Sequence, residues 1–234
     1  MKIRIPIVVV IATLLLGVVP RTLAASMVVV QPISVCTDEG TGCVNTAGNY
    51  FEAETDKIWA QAGIDVSFLP MTEYHETDYL LIDNVAEFEH GLAVEANAGQ
   101  HASSSVINMW FVDGIWENWG IAIQGGNDVV ITKGIFGANR IDTIAHELGH
   151  NLGLGHSGAH LTEHLMTSGL FRDVPGSIDD IAPDGLGLSL LSASEISVAQ
   201  ASPFVTAVPE PGAYAVVFLV GCGVVVARRR RAAA

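Results

Sequence analysis

Positive charge is what this chain most lacks. Across residues 25–207 the basic side chains are Lys57, Lys133, Arg140 and Arg172, set against 24 acidic ones, a charge of −20. Such a surface repels polyanions and excludes nucleic acid as a partner. It suits solubility, work outside a cell in salt, or calcium binding, and no calcium-loop motif accompanies it. Cysteine is scarce as well, with three in 234 residues. No internal repeat is visible, which excludes a solenoid. Residues 25–207 suffice for one domain with a full core and not for two.

Both ends differ from this acidic middle. Lys2 and Arg4 open the chain, residues 5–20 are apolar except for Thr13, and Thr22-Leu23-Ala24 supplies small residues before Ala25. This is the pattern of a cleaved signal peptide, here residues 1–24, and it implies export. Residues 208–231 hold Val208-Pro209-Glu210-Pro211, an apolar run over 212–227, and Arg228 to Arg231. Sixteen helical residues span about 24 Å, short of a hydrocarbon core of about 30 Å, so the arginines must reach for the cytoplasmic interface. The three parts in this order resemble the bacterial PEP-CTERM sorting signal. That resemblance implies a transmembrane helix over 212–227 and a transient stay in the inner membrane. An exosortase-like enzyme then processes the tail, and the protein ends at the cell surface or in the extracellular matrix. A permanent tail anchor is the alternative, and it needs no Pro-Glu-Pro. Cys222 lies in this tail and reads as a packing residue. Cys36 and Cys43, six residues apart between them in an exported domain, are expected to form a disulfide. Almost nothing precedes the first strand after Ala25, so no latency by a pro-segment is expected.

The chemistry sits in residues 146–156, His-Glu-Leu-Gly-His-Asn-Leu-Gly-Leu-Gly-His. His146 and His150 are one helical turn apart and present both imidazoles on one face, as two ligands of a zinc ion require. Glu147 lies on a neighbouring part of the helix surface, where it can act on a water without binding the metal. Gly153 permits a turn that side-chain-bearing residues resist, and His156 then returns as a third ligand. His160, His164 and Glu163 are the other candidates for that third position, and the glycine spacing favours His156. Three protein ligands with a fourth position open describe a catalytic zinc rather than a structural one.

This string resembles the metzincin clan of zinc endopeptidases position by position. The resemblance implies His146, His150 and His156 as zinc ligands and Glu147 as general base. It also implies a methionine turn at Met166, within Leu165-Met166-Thr167. Several metzincin families carry a tyrosine two residues after that methionine; Ser168 stands there, so no tyrosine role is assigned. Ser157 after the third histidine is closer to the matrixin group than to the astacin group. The implied function is an exported zinc-dependent endopeptidase acting on protein or peptide substrates. Two alternatives are a non-catalytic surface or matrix protein that keeps zinc for structure and a zinc hydrolase of non-peptide amides.

The resemblance also implies the fold class: α+β, a zincin-like catalytic domain. A twisted mixed sheet is backed by two long helices, the second bearing the zinc site, and a small C-terminal subdomain follows. Residue patterns fill this in. Residues 27–35 read as a strand, with Pro32 implying a sheet edge or bulge. Residues 49–62 read as a helix stopped by Gly63, and 64–69 as a strand ended by Pro70. Asp83 is expected to cap a helix burying Val85, Phe88 and Leu92. Residues 99–105 read as a loop, 106–112 as a buried central strand, and 128–132 as a further strand. Residues 120–123 read as a short hairpin strand, and the resemblance implies that this strand lies at the sheet edge and can pair with a peptide. Asp142 begins the zinc helix, and Ser192 with Glu195 caps a last helix over 196–201. A specificity pocket is expected between the methionine turn and that last helix, lined by parts of 169–191.

Overall fold

The structure, a computed structural model, describes residues 26–44, 50–84, 86–88 and 99–208. The expected signal peptide and C-terminal tail lie outside the described residues, as does most of the helix expected after Asp83; of that segment, Phe88 is buried. Among the described residues no helix is long and apolar enough to cross a membrane.

The elements, in chain order, are β1 (Ser26–Cys36), α1 (Glu52–Ala60), β2 (Ile64–Phe68), β3 (Thr72–His75), β4 (Leu81–Ile82), β5 (Val106–Val112) and β6 (Gly114–Ile115). There follow β7 (Gly120–Ala122), β8 (Asp128–Thr132), α2 (Gly134–Gly137), α3 (Thr143–Asn151), α4 (Ala193–Gln200) and β9 (Thr206–Ala207). The class is the expected α+β, with a mixed seven-stranded sheet in the order β2-β1-β5-β8-β7. β3 continues the β2 side of β1, and β9 pairs antiparallel with Ser26 and Met27 at the start of β1. The C-terminal region therefore returns to the sheet. β5 is buried at every position, as suits a strand apolar everywhere but at Asn108, and β7 runs antiparallel to β8 at the edge.

Two expectations need correction. β1 is not an edge strand: it lies between β2 and β3 on one side and β5 on the other. Pro32 is tolerated because of where the ladder breaks. The Val30 and Cys36 carbonyls accept bonds from Leu69 and Glu76 on the β2–β3 side. Strand alternation turns the Pro32 nitrogen to that same side, opposite the gap between the two registers, where no donor is required. The Gln31 amide fills the gap by donating to the Pro32 and Pro70 carbonyls, both at 2.8 Å. The second correction concerns the helices. α1 and α3 have nine residues each rather than being long. Phe51, left-handed at φ 51°, delays the start of α1, and Gly63 and Gly153 stop the chain from continuing. β3 was not expected from the sequence at all.

The main core packs α1 and α3 against one sheet face, with Trp59, Ile58, Ile144 and Leu148 meeting Ile107, Met109 and Phe111. A second cluster covers the other face around Trp110, Val130 and Phe88. At its margin Asp128 is 3 % exposed, and its Oδ1 accepts from Trp110 Nε1 at 3.1 Å and Gln100 Nε2 at 3.2 Å. Burial pushes its carboxyl up from 3.8 to about 6. A carboxyl raised in this way keeps its proton when folded after the unfolded chain has lost it. Stability therefore falls as pH rises from about 4 to 6, by about 3 kcal/mol, and the cost persists above that window. Asp128→Asn keeps an acceptor oxygen and removes the buried charge. Urea unfolding should find it more stable than the parent at pH 7 and level with it near pH 3.5. A parent that gains stability between pH 4 and 6 relative to this variant would contradict the assignment.

Candidate metal centre and cleft

α3 carries His146, Glu147 and His150, and every residue from Thr143 to Gly149 is buried. The helix ends because Gly153 takes φ +97°, beyond the reach of most side-chain-bearing residues. The Gly153 and Leu154 amides donate back to the His150 and Gly149 carbonyls, closing the turn. The reversal brings His156 over the helix. The three imidazoles each offer a nitrogen, and these atoms lie within 4.8 Å of one another. Ring centroids are 4.9 Å apart for His146 and His150, 5.4 Å for His146 and His156, and 4.7 Å for His150 and His156. His160 and His164 are not part of this group. His164 Nδ1 instead faces Glu195 at 3.8 Å. Among the described residues one other set of potential ligands converges, Cys36, Glu73 and His75. Its cysteine is bonded to Cys43 in a disulfide. Neither set is the oxygen cage that calcium takes.

The donor set fits a zinc ion. Metal-binding imidazoles must be neutral, and burial pushes all three histidines down from 6.5, His146 furthest. His150 Nδ1 lies 2.8 Å from the Leu154 carbonyl and His146 Nδ1 lies 2.6 Å from the Leu165 carbonyl. Donating there fixes the tautomer that leaves Nε2 as a bare lone pair. Arg172 Nη1 also stands 2.6 Å from His146 Nδ1. The two bonds need opposite tautomers of His146. Arg172 Nη1 has its own acceptors in the Thr167 carbonyl at 2.9 Å and the Leu165 carbonyl at 3.2 Å, so the metal-binding tautomer leaves the guanidinium satisfied.

Arg172 is the residue that sequence reasoning missed. It is 7 % exposed and forms a two-point ion pair with Asp142, Nε to Oδ2 at 2.8 Å and Nη2 to Oδ1 at 3.2 Å. Asp142 occupies the N-cap position of α3 but makes no side-chain cap bond. Its carboxylate is committed to Arg172 and, at 3.3 Å, to Ser189 Oγ. The pair ties the start of α3 to the carbonyls on either side of Met166. Met166 is fully buried directly beneath the helix; a Cβ added at Gly149 would collide with its sulfur. Its carbonyl accepts from Ser157 N at 2.8 Å, joining the third histidine's loop to this turn. Ser157 Oγ donates to Glu195 Oε1 at 2.7 Å, while Glu195 completes the expected capping box with Ser192 at the start of α4.

A cleft of about 750 Å³ opens over the three histidines and Glu147. Its lining is completed by residues 116–122, Gln124, Arg140, Thr143, Gly155, residues 168–170 and Arg172. Of the lining expected from residues 169–191, Gly169, Leu170 and Arg172 reach this cleft, while α4 and residues 173–191 contribute nothing to it. β7 forms its rim, and Gly120 lies so close that an added Cβ would stand 2.6 Å from Glu147 Cγ. Burial pushes the Glu147 carboxyl up to about 8, against the opposing pull of Arg172.

Residues 69–157 match the metallo-peptidase family M12B, reprolysin-like. No curated protein matches the chain. Among solved structures it is similar to a zinc-dependent peptidase from Methanocorpusculum labreanum, with 10 % identity and a TM-score of 0.41 over 73 % of this chain and 99 % of that one. It is also similar to metalloproteinase-II from Bacteroides fragilis, at 18 % identity and a TM-score of 0.46, over 75 % of this chain and 52 % of that one. A third likeness is to archaemetzincin from Archaeoglobus fulgidus, at 15 % identity and a TM-score of 0.36, over 74 % and 99 %. The stretch that matches this family ends one residue past His156.

Proposed function

We propose that this protein is an exported zinc-dependent endopeptidase. His146, His150 and His156 hold the metal, and Glu147 is the general base. The observation that carries the reading is the convergence of three neutral imidazoles beside a buried carboxyl on the floor of an open cleft. When bound, zinc supplies Lewis acidity, bringing a water's pKa near 7 and polarising a carbonyl, and its charge favours the carboxylate form of Glu147. Glu147 then accepts a proton from the attacking water and returns it to the leaving amine. The outer edge of β7, unpaired among the described residues, offers backbone groups to an extended peptide, and the closeness of Gly120 to Glu147 sets the scissile bond beside the base. Leu165 and Leu154 hold the imidazoles in register, and Met166 supports the helix from below.

A purely structural zinc site has no need of a buried glutamate beside an open cleft, which favours the catalytic reading over the non-catalytic alternative. The test is hydrolysis of unfolded casein by the metal-loaded protein. Chelation should abolish cleavage and added zinc restore it. Cleavage indifferent to chelation, or a zinc-loaded protein inert on casein but active on small amides, would contradict the reading.

The location belongs to the same proposal. Residues 1–24 direct export, and residues 208–231 hold the domain on the outer side of the inner membrane until a sorting enzyme acts near Pro209-Glu210-Pro211. The order of Pro-Glu-Pro, apolar run and arginines supports it. Peptide mass mapping of surface material from the native host should find no peptide spanning Arg228 to Arg231. Finding one would mean a permanent anchor.

A further inference from the structure

In a domain this acidic, each cation is expected to find a carboxylate. Three of the four described basic side chains do: Lys57 pairs with Asp184 at 3.1 Å, Lys133 with Asp113 at 2.5 Å, and Arg172 with Asp142 at 2.8 Å. Arg140 does not. Among the described residues it has no carboxylate within ion-pair distance and no acceptor for its side chain. Its Nε is buried with no hydrogen-bond partner. The nearest influence is Asp142, whose oxygens are already taken by Arg172 and Ser189. Leaving that nitrogen unsatisfied is costly, and the Nη groups beside it, which face the cleft with no acceptor among the described residues, are the ones a bound anion can reach.

Its position says what arrives. Arg140 lines the cleft, with Cζ 5.9 Å from the ring centroid of Trp119. Trp119 directly precedes Gly120, where an added Cβ would stand 2.6 Å from Glu147 Cγ. Arg140 Nη2 would stand 3.3 Å from a Cβ at Gly169, which also lines the cleft, just beyond the Met166 turn. The guanidinium therefore lies near both Trp119 and Gly169. It shares the cleft with the three histidines and Glu147. A guanidinium at cation–π distance from an indole can still bond a planar anion at two points through its edge.

We propose that Arg140 is a specificity-determining residue that binds a carboxylate of the substrate. The anion is an acidic side chain, or a chain-terminal carboxylate, close to the scissile bond. This rests on the peptidase reading above and adds a substrate class to it. It also fits the electrostatics of the domain, which would otherwise repel an acidic peptide; the cleft offers the unpaired cation that makes one site acceptable.

The test compares quenched-fluorescence peptides that differ at one position beside the cleaved bond, carrying Glu, Gln or Lys, each with free and amidated C-termini. The full chain, zinc-loaded, should prefer Glu over Gln by about 10- to 100-fold in kcat/KM, as a charge-assisted pair predicts. Arg140→Gln should bring that ratio close to one, and Arg140→Glu should turn the preference to Lys, a gain that a misfolded variant cannot show. Preference that follows the free C-terminus and ignores the internal residue would identify the chain end as the source of the carboxylate. Binding of the same peptides to zinc-loaded Glu147→Gln, read by fluorescence anisotropy, needs no turnover. If that protein binds Glu peptides more tightly than Gln peptides and the unsubstituted protein cleaves none, the anchor stands and the peptidase reading falls. Equal binding of Glu and Gln peptides, or an Arg140→Gln protein that keeps the Glu preference, overturns the anchor.

Discussion

His156→Ala should cost the protein its zinc. The variant removes one of three imidazoles whose ligand atoms lie within 4.8 Å of one another and leaves a two-ligand site with no described side chain able to replace it. His160 and His164, which follow close behind in sequence, do not join the group. His164 is held toward Glu195 in the network that also binds Ser157. Metal content after dialysis should therefore fall from about one zinc per chain to near zero in His156→Ala. It should stay near one in His160→Ala and His164→Ala. Loss in His164→Ala with retention in His156→Ala would reverse the assignment.

Arg172→Met should destabilise the fold by about 3–5 kcal/mol, because it strands the fully buried Asp142 carboxylate without its cation. The same substitution removes the donors that hold the Leu165 and Thr167 carbonyls, and the Leu165 carbonyl orients His146. Zinc affinity should therefore fall by about 10- to 100-fold even in the fraction that folds. Adding Asp142→Leu should recover stability, since an apolar pair can replace a buried ion pair without loss, and should not recover the zinc affinity. A variant as stable as the parent by urea unfolding would mean that the pair contributes nothing.

The donor set was legible because its spacing is local. Four residues from His146 to His150 make one turn, and a glycine followed by His156 makes a reversal, so one short string encodes all three imidazoles. β5 was legible for a similar reason: six large apolar residues out of seven, broken only by Asn108, suit a strand covered on both faces. What was not legible depends on partners far along the chain. Pro32 reads as an edge signal, and only the break between β2 and β3 some 40 residues on makes it acceptable at the centre of the sheet. Asp142 reads as a helix cap, yet Arg172, thirty residues later, claims its carboxylate. β3, Thr-Glu-Tyr-His, has little apolar alternation and is a strand because β1 offers it backbone partners. Arg140 carried a signal in plain sight: with four basic residues in the domain, each one invites the question of what it pairs with.

The central claim is that Glu147 acts on a water beside a zinc held by His146, His150 and His156. The most direct measurement is casein hydrolysis by Glu147→Gln with its zinc content determined in parallel. The amide keeps the shape of the side chain, removes the base and touches no ligand. The account predicts about one zinc per chain and a rate lowered by about 10²- to 10⁴-fold. A zinc-loaded Glu147→Gln that cleaves casein as fast as the parent would contradict it.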